Sequence, residues 1–143
     1  MAQDPRLDEF AISTDKARLN ITLIHEYLSQ RSYWAQGRAL ETVRRSIEHS
    51  LCFGIYRGEA QLGFARVVSD HATFAWLCDV FIVESARGQG LAKWLVGSIV
   101  AHPELRGLRR LVLATQDAHE LYRRHGGFET LRMPEKWMER FNG

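Results

Sequence analysis

The sequence predicts a mixed α/β layered fold, and three observations support this prediction. Three segments carry apolar residues at helical spacing, which indicates amphipathic helices. The stretch 73–83 is apolar at both odd and even positions, a pattern typical of a central strand that is covered on both faces. Beyond that stretch, helical and strand patterns alternate, which is the order expected for a sheet flanked by helices.

The length and composition of the chain are those of one globular domain. The chain has 143 residues, of which 45% are hydrophobic and 25% charged, so it is long enough to bury one sizeable core. No repeat, low-complexity run or linker marks a second domain. We therefore expect a single domain that spans residues 1–143.

The charge and hydropathy patterns argue against two classes of partner. The net charge is only +2 and the basic residues are spread along the chain, so we do not expect nucleic-acid binding. No apolar run reaches the roughly 18 residues that span a bilayer, and the stretch 1–10 carries acids where a signal peptide would be apolar. We expect a cytoplasmic protein that does not contact membranes. The sequence leaves monomer and homodimer open.

In the first half of the chain, two helices precede a β-hairpin. Asn20 stands where it can cap the first helix, and Gly37 closes the linker between the two helices. The turn 58–60 separates two apolar runs, which is the pattern of a hairpin. The expected elements are a strand at 8–14, helices at 20–30 and 39–50, and hairpin strands at 51–57 and 61–69.

In the second half, each expected helix has a recognisable boundary. Pro103 lies beyond the end of the first of these helices, and Gly126 and Gly127 close the second. Pro134 stands in the first turn of a short C-terminal helix. The expected elements are the central strand at 73–83, helices at 91–102 and 117–127, strands at 109–115 and 128–133, and a helix at 134–141.

Gly88 and Gly90 lie where the helix after the central strand must begin. Glycine inside a helix costs about 1 kcal/mol relative to alanine, so the pair must serve another purpose. It permits either a tight turn without a ligand or a backbone bare enough for an anion to reach the first N–H groups of the helix. The stretch is neither a P-loop nor the dinucleotide fingerprint, whose third glycine is replaced by Lys93. The residues alone leave both interpretations open.

Two motifs in this sequence resemble those of one enzyme family. Arg87, Gly90 and Ala92 follow a predicted strand in the pattern [QR]xxGx[GA], and the stretch 114–128 leads from a strand into a helix with Leu-Tyr, glycine and phenylalanine. Both patterns resemble motifs of the GNAT superfamily of acyl-CoA-dependent N-acyltransferases. The resemblance covers residues 52–131.

The chain departs from the family pattern at two places in the second motif. Thr115 stands where relatives often carry asparagine just after the strand. Gly126 and Gly127 both precede Phe128, which is one residue more than usual after Tyr122. We expect the extra residue to bulge the end of the helix.

The resemblance implies a mixed, mostly antiparallel sheet that splays apart between its fourth and fifth strands, with the pantetheine arm of acetyl-CoA in the gap. The backbone of Phe81 and Val83 would pair with the pantetheine amides, and the N–H groups from Gly88 to Ala92 would hold the diphosphate. The implied donor-binding set is Phe81, Ile82, Val83, Arg87, Gly88, Gln89, Gly90, Leu91, Ala92, Thr115, Asp117, Ala118 and Tyr122. Acetyl-CoA would be a co-substrate, and we expect no metal because no histidines have ligand spacing.

Asp79 and Tyr122 are the candidate catalytic residues. Asp79 is the only charge in 73–83, and a lone buried carboxylate would cost several kcal/mol, so we expect it to face a wet cavity or a partner. It is either the base that deprotonates the amine or a structural aspartate paired with an arginine such as Arg66. By the resemblance, Tyr122 would protonate the departing thiolate; alternatively it packs and hydrogen-bonds the sulfur.

The resemblance places the acceptor pocket beside the first two helices and their linker. Tyr33 and Trp34 are its candidate residues, with Trp137 as a further aromatic side chain, although hydrophobic packing would also explain each of them. The acceptor would be an amine of a small molecule, a peptide or a protein.

The cysteines favour direct acetyl transfer over a covalent enzyme intermediate. Cys52 and Cys78 sit in apolar runs with no histidine or lysine obviously placed to activate them. Two other functions stay open: a catalytically idle module that senses acyl-CoA, and a nucleotide binder.

Overall fold

The sheet has five strands that lie side by side in chain order: β1 (Ala11–Ser13), β2 (Leu51–Arg57), β3 (Ala60–Ser69), β4 (Phe74–Ile82) and β5 (Arg110–Leu113). Strands β1 to β4 pair antiparallel, and β5 lies parallel to β4. This computed structural model describes residues 9–143. The first residue of the predicted strand 8–14 and most of the N-terminal stretch lie outside the described residues. The mixed, mostly antiparallel sheet predicted from the sequence is confirmed.

Helices cover both faces of the sheet. Asn20 caps the first helix, since its Oδ1 accepts the Leu23 N–H at 3.0 Å, as predicted. That helix ends in a π-helical turn, Tyr27–Arg31. The helices are α1 (Ile21–Glu26), α2 (Leu40–Glu48), α3 (Leu91–Val100) and α4 (His119–Gly126).

Strand β4 contributes to the cores on both faces. Ile82 packs in the cluster that contains Leu95 of α3, whereas its neighbour Phe81 packs in the cluster that contains Ile24 of α1 and Val43 of α2. Alternate side chains of a strand point to opposite faces. The prediction of a central strand covered on both sides is confirmed for this part of β4, whereas Phe74 and Trp76 near its start are 37% and 42% exposed.

A β-bulge interrupts the pairing of β3 with β4. Phe64 pairs with Phe81 and Arg66 pairs with Cys78, so two residues of β4 lie opposite one residue of β3. Asp79 is at the bulge and has a left-handed backbone, with φ +53°. Aspartate tolerates this conformation better than most residues.

Strands β4 and β5 separate at the same place. Their pairing runs only from Phe74 opposite Arg110 to Leu77 opposite Leu113, although β4 continues to Ile82. The outer edge of β4 therefore has no neighbouring strand beyond Leu77. This is the splay that the family resemblance implies.

The segment after α4 differs from the prediction. Residues 128–133 form no strand, and the predicted helix 134–141 is reduced to a 3₁₀ turn, Pro134–Lys136. Phe128 and Leu131 are half-buried while the residues between them are exposed. A strand that packs on a sheet buries every second side chain. The buried side chains here are three residues apart, so this segment does not fit the pattern of a strand.

The double glycine ends α4 with the expected bulge. Gly127 adopts φ +70°, and both its N–H and that of Phe128 donate to the Tyr122 carbonyl. These bonds span five and six residues, one more than in the usual left-handed closure, so the extra residue widens the last turn of the helix. Gly126 serves packing, because a Cβ there would lie 2.7 Å from the Phe128 ring and 2.9 Å from Val96.

Candidate active site

The loop before α3 presents a row of free backbone donors. The five N–H groups from Gly88 to Ala92 find no acceptor within residues 9–143, and no side chain caps the helix. Gly88 and Gly90 both have left-handed φ angles, +81° and +83°. These N–H groups border a cavity of about 320 Å³, which Lys93 also lines. Free N–H groups at a helix start and a nearby ammonium form a site for an anion.

Two side chains of the predicted donor-binding set hold the loop in place. Arg87 donates from Nε to the Ile82 carbonyl at 3.1 Å and from Nη2 to the Tyr27 hydroxyl at 2.7 Å. Gln89 donates from Nε2 to the Ala86 carbonyl at 3.3 Å. Arg87 thus ties the loop to the end of β4 and Gln89 ties it to the turn after β4, and these contacts orient the N–H groups of the loop.

A second cavity, of about 480 Å³, opens where β4 and β5 separate. The linker between α1 and α2, strand β4 and the start of α4 all contribute to its wall. Val80 lines this cavity and Ile82 lines the cavity at the loop, so both open along one stretch of β4. The predicted site residues that the fold brings to this second cavity are Tyr33, Trp34, Asp79, Thr115, Asp117, Ala118 and Tyr122.

The Tyr122 hydroxyl lies at this cavity with no hydrogen-bond partner among the described residues. Its side chain is nine-tenths buried, and its ring packs edge-on against Phe128 with centroids 5.8 Å apart. Burial raises the pKa of Tyr122 to about 12. The hydroxyl is therefore protonated at neutral pH and free to donate to a ligand.

The Asp79 carboxylate, in contrast, already accepts three hydrogen bonds. Its Oδ1 accepts the Trp34 indole N–H at 2.9 Å, and its Oδ2 accepts from Arg38 and Arg66, also at 2.9 Å each. The side chain is only 2% exposed. Three of the roughly four acceptor positions of a carboxylate are used.

This network contains both an expected and an unexpected partner. The ion pair with Arg66, one of the two alternatives for Asp79, is present. Arg38 was missed, since it lies in a polar linker where no local signal indicates that it will meet β4.

The backbone groups of β4 that face the gap are not those of Phe81 and Val83, which the family resemblance implied. The Val83 N–H donates to the Leu62 carbonyl of β3 at 2.8 Å, and the Phe81 carbonyl also faces β3, close to Gly63. Alternate residues of a strand direct their N–H and C=O groups to opposite sides. Ile82, between the two, therefore faces the gap.

Comparison with known proteins identifies the family. The model of the acetyltransferase (GNAT) family matches residues 21–128. The chain belongs to this family. The sequence-based predictions of the GNAT fold and of an N-acetyltransferase are thereby confirmed.

Two relatives are similar over most of this GNAT chain. A GNAT-family protein from Xanthomonas campestris pv. campestris, known from a crystal structure, is 50% identical, with 93% of each chain covered and a TM-score of 0.90. A Gibberella zeae protein assigned as an acetyltransferase is 27% identical over 87% of this chain and 81% of its own length. The structure of AAC(6')-Iy shares the fold, with a TM-score of 0.63 and 18% identity over 94% of this chain and 99% of that one.

The aromatic candidates of this GNAT protein divide into two groups. Tyr33 and Trp34 line the cavity and are 51% and 39% exposed. The Tyr33 hydroxyl accepts the Gln116 N–H at 2.8 Å, which ties the α1–α2 linker to the loop after β5. Trp137 packs instead against Phe74, with ring centroids 6.3 Å apart, and does not line the cavity.

The sequence did not indicate three further residues of the cavity wall. Trp76 lines it from β4, and Glu139 and Phe141 line it from the C-terminal segment. An exposed aromatic residue next to a glutamate gives no local sign of a site, so these positions required the fold.

The cysteines are poorly suited to nucleophilic catalysis. Cys78 lines the cavity, but burial raises the pKa of its thiol to about 12. Burial likewise raises the pKa of the Cys52 thiol to about 11. Thiolate, the reactive form, is therefore scarce at neutral pH.

Neither a metal-binding cluster nor a membrane-spanning helix is present in residues 9–143. No group of three or more histidine, cysteine, aspartate or glutamate residues is arranged to hold a metal ion in this part of the chain. None of the helices described here has the length and apolar character needed to cross a bilayer.

The free N–H groups of the loop lead to a first prediction. Changing Gly90 to alanine should weaken acetyl-CoA binding at least tenfold, about 1.4 kcal/mol. The added methyl group would project into space that is open in the free protein and that the diphosphate would need. Isothermal titration calorimetry with acetyl-CoA measures this change.

Gly107 supplies a matched control for the Gly90 variant. Its φ is +81° and a Cβ there would also meet no atom within 4 Å, so alanine imposes the same backbone strain away from the loop. We expect Gly107→Ala to lose stability but to keep its affinity for acetyl-CoA. Equal losses of affinity in both variants would mean that the Gly90 effect arises from strain alone.

Proposed function

We propose that this GNAT protein transfers the acetyl group of acetyl-CoA directly to a primary amine. The observation that carries this proposal is the free Tyr122 hydroxyl, nine-tenths buried and bordering a cavity at the strand splay. The loop of free N–H groups lies along the same strand. One site can hold the diphosphate of the donor while the other receives its thioester.

The donor would lie along the free edge of β4. The diphosphate would accept from the N–H groups between Gly88 and Ala92, and Ile82 would offer backbone groups to the pantetheine arm. Thr115, Asp117 and Ala118 would border the thioester end. This placement is supported by the fold that the chain shares with AAC(6')-Iy, which was solved with the bisubstrate analogue CoA-S-monomethyl-acetylneamine.

The transfer needs a neutral amine and a stabilised leaving group. The amine nitrogen attacks the thioester carbon, the carbon–sulfur bond breaks with its electron pair leaving on sulfur, and the nitrogen loses a proton to water. A lysine-like amine is neutral only about once in two thousand molecules at pH 7. The site must therefore bind that neutral form or assist its deprotonation.

Tyr122 would stabilise the departing sulfur by donating a hydrogen bond. With a pKa of about 12, the phenol is a weaker acid than a thiol of pKa ~8.5, so complete proton transfer to the thiolate is unfavourable. A hydrogen bond that shortens as charge develops on sulfur has no such penalty. Final protonation of the thiolate can come from solvent.

Asp79 would act as a positioning residue rather than as the base. Its two oxygens already accept three hydrogen bonds, and these orient Trp34 and Arg38 at the cavity. This role accounts for a charged residue on a strand that is otherwise apolar.

A thiol-release assay with acetyl-CoA and a panel of amines tests the proposed function. Release of free CoA that depends on one of the amines supports the transferase. Tight acetyl-CoA binding without turnover on any amine would instead support an acyl-CoA sensor.

Direct transfer gives a second prediction, for Cys78. Changing Cys78 to serine should leave kcat within about threefold of the wild type, because the protonated thiol forms no acetyl-enzyme. Mass spectrometry after incubation with acetyl-CoA alone should show no acetylated cysteine. Acetylation of Cys78 together with loss of turnover in the serine variant would establish a covalent route.

A further inference from the structure

The C-terminal segment forms one wall of the candidate acceptor cavity. Trp137 anchors this segment by stacking on Phe74 of β4, and the Arg110 guanidinium lies 4.9 Å from the centroid of its ring. Two and four residues further on, Glu139 and Phe141 line the cavity. The segment 137–141 therefore crosses from the start of β4 to the site, and we call it the C-terminal strap.

The charges at the cavity favour a cationic ligand. The Asp79 carboxylate is already compensated by Arg38 and Arg66. Asp117 and Glu139 also line the cavity, and within residues 9–143 neither has an ion-pair partner. Arg38 and Arg66 exceed the single Asp79 carboxylate by one positive charge, so Asp117 and Glu139 leave the site with a net charge of −1 around the free Tyr122 hydroxyl.

The aromatic side chains reinforce this preference. Tyr33, Trp34, Trp76 and Phe141 line the same cavity with rings that are 39% to 80% exposed. Aromatic faces attract ammonium groups, and they also cover the alkyl part of an amine. A carboxylate among aromatic rings is a suitable site for a positive charge on a short apolar chain.

The volume of the cavity limits the size of the acceptor. About 480 Å³ must hold the thioester end of the donor as well as the acceptor, and pockets of this size fit small molecules.

We propose that the acceptor is a small alkyl amine with a second positive charge, and that Glu139 on the C-terminal strap pairs with that distal charge. This inference rests on the proposed transferase function, and it names the class of acceptor. The reacting amine would lie near Tyr122 in its neutral form, while the distal ammonium would remain charged against Glu139.

A pair of four-carbon amines tests the proposal. Diaminobutane and butylamine differ only in the second terminal amine, so the ratio of their kcat/KM values isolates recognition of the distal charge. We expect the wild type to favour the diamine at least fivefold. Glu139→Gln should reduce this ratio by about fivefold to tenfold, the range for one partly exposed ion pair with aromatic support.

Two further variants separate the strap from unspecific charge effects. Glu135→Gln removes the same charge from an exposed position on the preceding 3₁₀ turn, away from the cavity, and should keep the wild-type ratio. Trp137→Ala removes the anchor of the strap and should lower the ratio as Glu139→Gln does. A thermal melt of each variant identifies any loss of folding.

The outcomes distinguish this inference from the proposed function. Equal kcat/KM values for the two amines, or a ratio unaffected by Glu139→Gln, overturn the inference while transfer itself stands. Diaminobutane that binds the CoA-saturated protein through Glu139 in calorimetry but is never acetylated supports the cation site and contradicts the transferase. Absence of acetyl-CoA binding overturns both proposals.

Discussion

Tyr122→Phe should lower kcat by about 10²-fold, the lower end of the range for the loss of one hydrogen-bond donor to a developing negative charge. Phenylalanine keeps the ring and its contact with Phe128 but removes the group that donates to the departing sulfur. The affinity for acetyl-CoA should change by less than twofold, because the proposed diphosphate contacts lie on the loop before α3. Steady-state kinetics and calorimetry on the same preparation measure both quantities.

The dependence of kcat on the acyl donor and on pH tests this prediction further. The loss in Tyr122→Phe should be smaller with an acyl donor whose thiol is more acidic, since that leaving group needs less stabilisation. Because burial raises the pKa of Tyr122 to about 12, its protonated form persists as pH rises, and wild-type kcat should show no decline centred near pH 10, the ordinary value for tyrosine. A wild-type-like kcat in the phenylalanine variant with every donor would leave Tyr122 as a packing residue.

Tyr56 provides the control for the removal of a hydroxyl. Its side chain is 1% exposed and its hydroxyl also lacks a partner within the described chain, but it lies in the core rather than at the cavity. Tyr56→Phe should therefore keep kcat within twofold.

Asp79→Asn should lower the free energy of unfolding by about 3 kcal/mol, as expected when one partner of a buried ion pair is removed. The variant leaves Arg66, whose side chain is only 10% exposed, without its carboxylate. Asparagine tolerates the φ of +53° at this position, so the loss reports the charge rather than the backbone. Urea unfolding followed by circular dichroism measures it.

The exposed pair of Arg57 and Glu9 is the matched control for Asp79. Their atoms are 3.1 Å apart, but the side chains are 52% and 61% exposed, so Glu9→Gln should cost less than about 1 kcal/mol. Equal stability losses in the two variants would contradict a special role for the buried network.

The kinetics of folded Asp79→Asn distinguish positioning from base catalysis. Loss of the orientation of Trp34 and Arg38 should raise the KM of the acceptor about tenfold and leave the shape of the kcat–pH profile unchanged. A kcat loss confined to the acidic side of the optimum, with an unchanged KM, would identify Asp79 as the base.

Local signals explain which elements could be predicted. The apolar residues of 73–83 predict a strand covered on both sides, and Asn20 predicts the start of α1, because burial periodicity and capping depend on residues close in sequence. The segment 128–133 looked like a strand by composition alone. Only contact with the folded domain showed that its buried residues are three apart.

The residues of the candidate site also fall into two groups, those that a local motif predicts and those that only the fold brings together. The sequence by itself determined the family, the loop of Gly88 and Gly90, and Tyr122, since each belongs to a contiguous motif whose spacing can be read directly. Only the tertiary structure decided that Arg38 joins Arg66 on Asp79 and that Glu139 lines the cavity. These contacts join residues 13 to 41 positions apart, or reach the cavity from the C-terminal segment. Such contacts arise from the packing of whole elements, which no local pattern of residue types encodes.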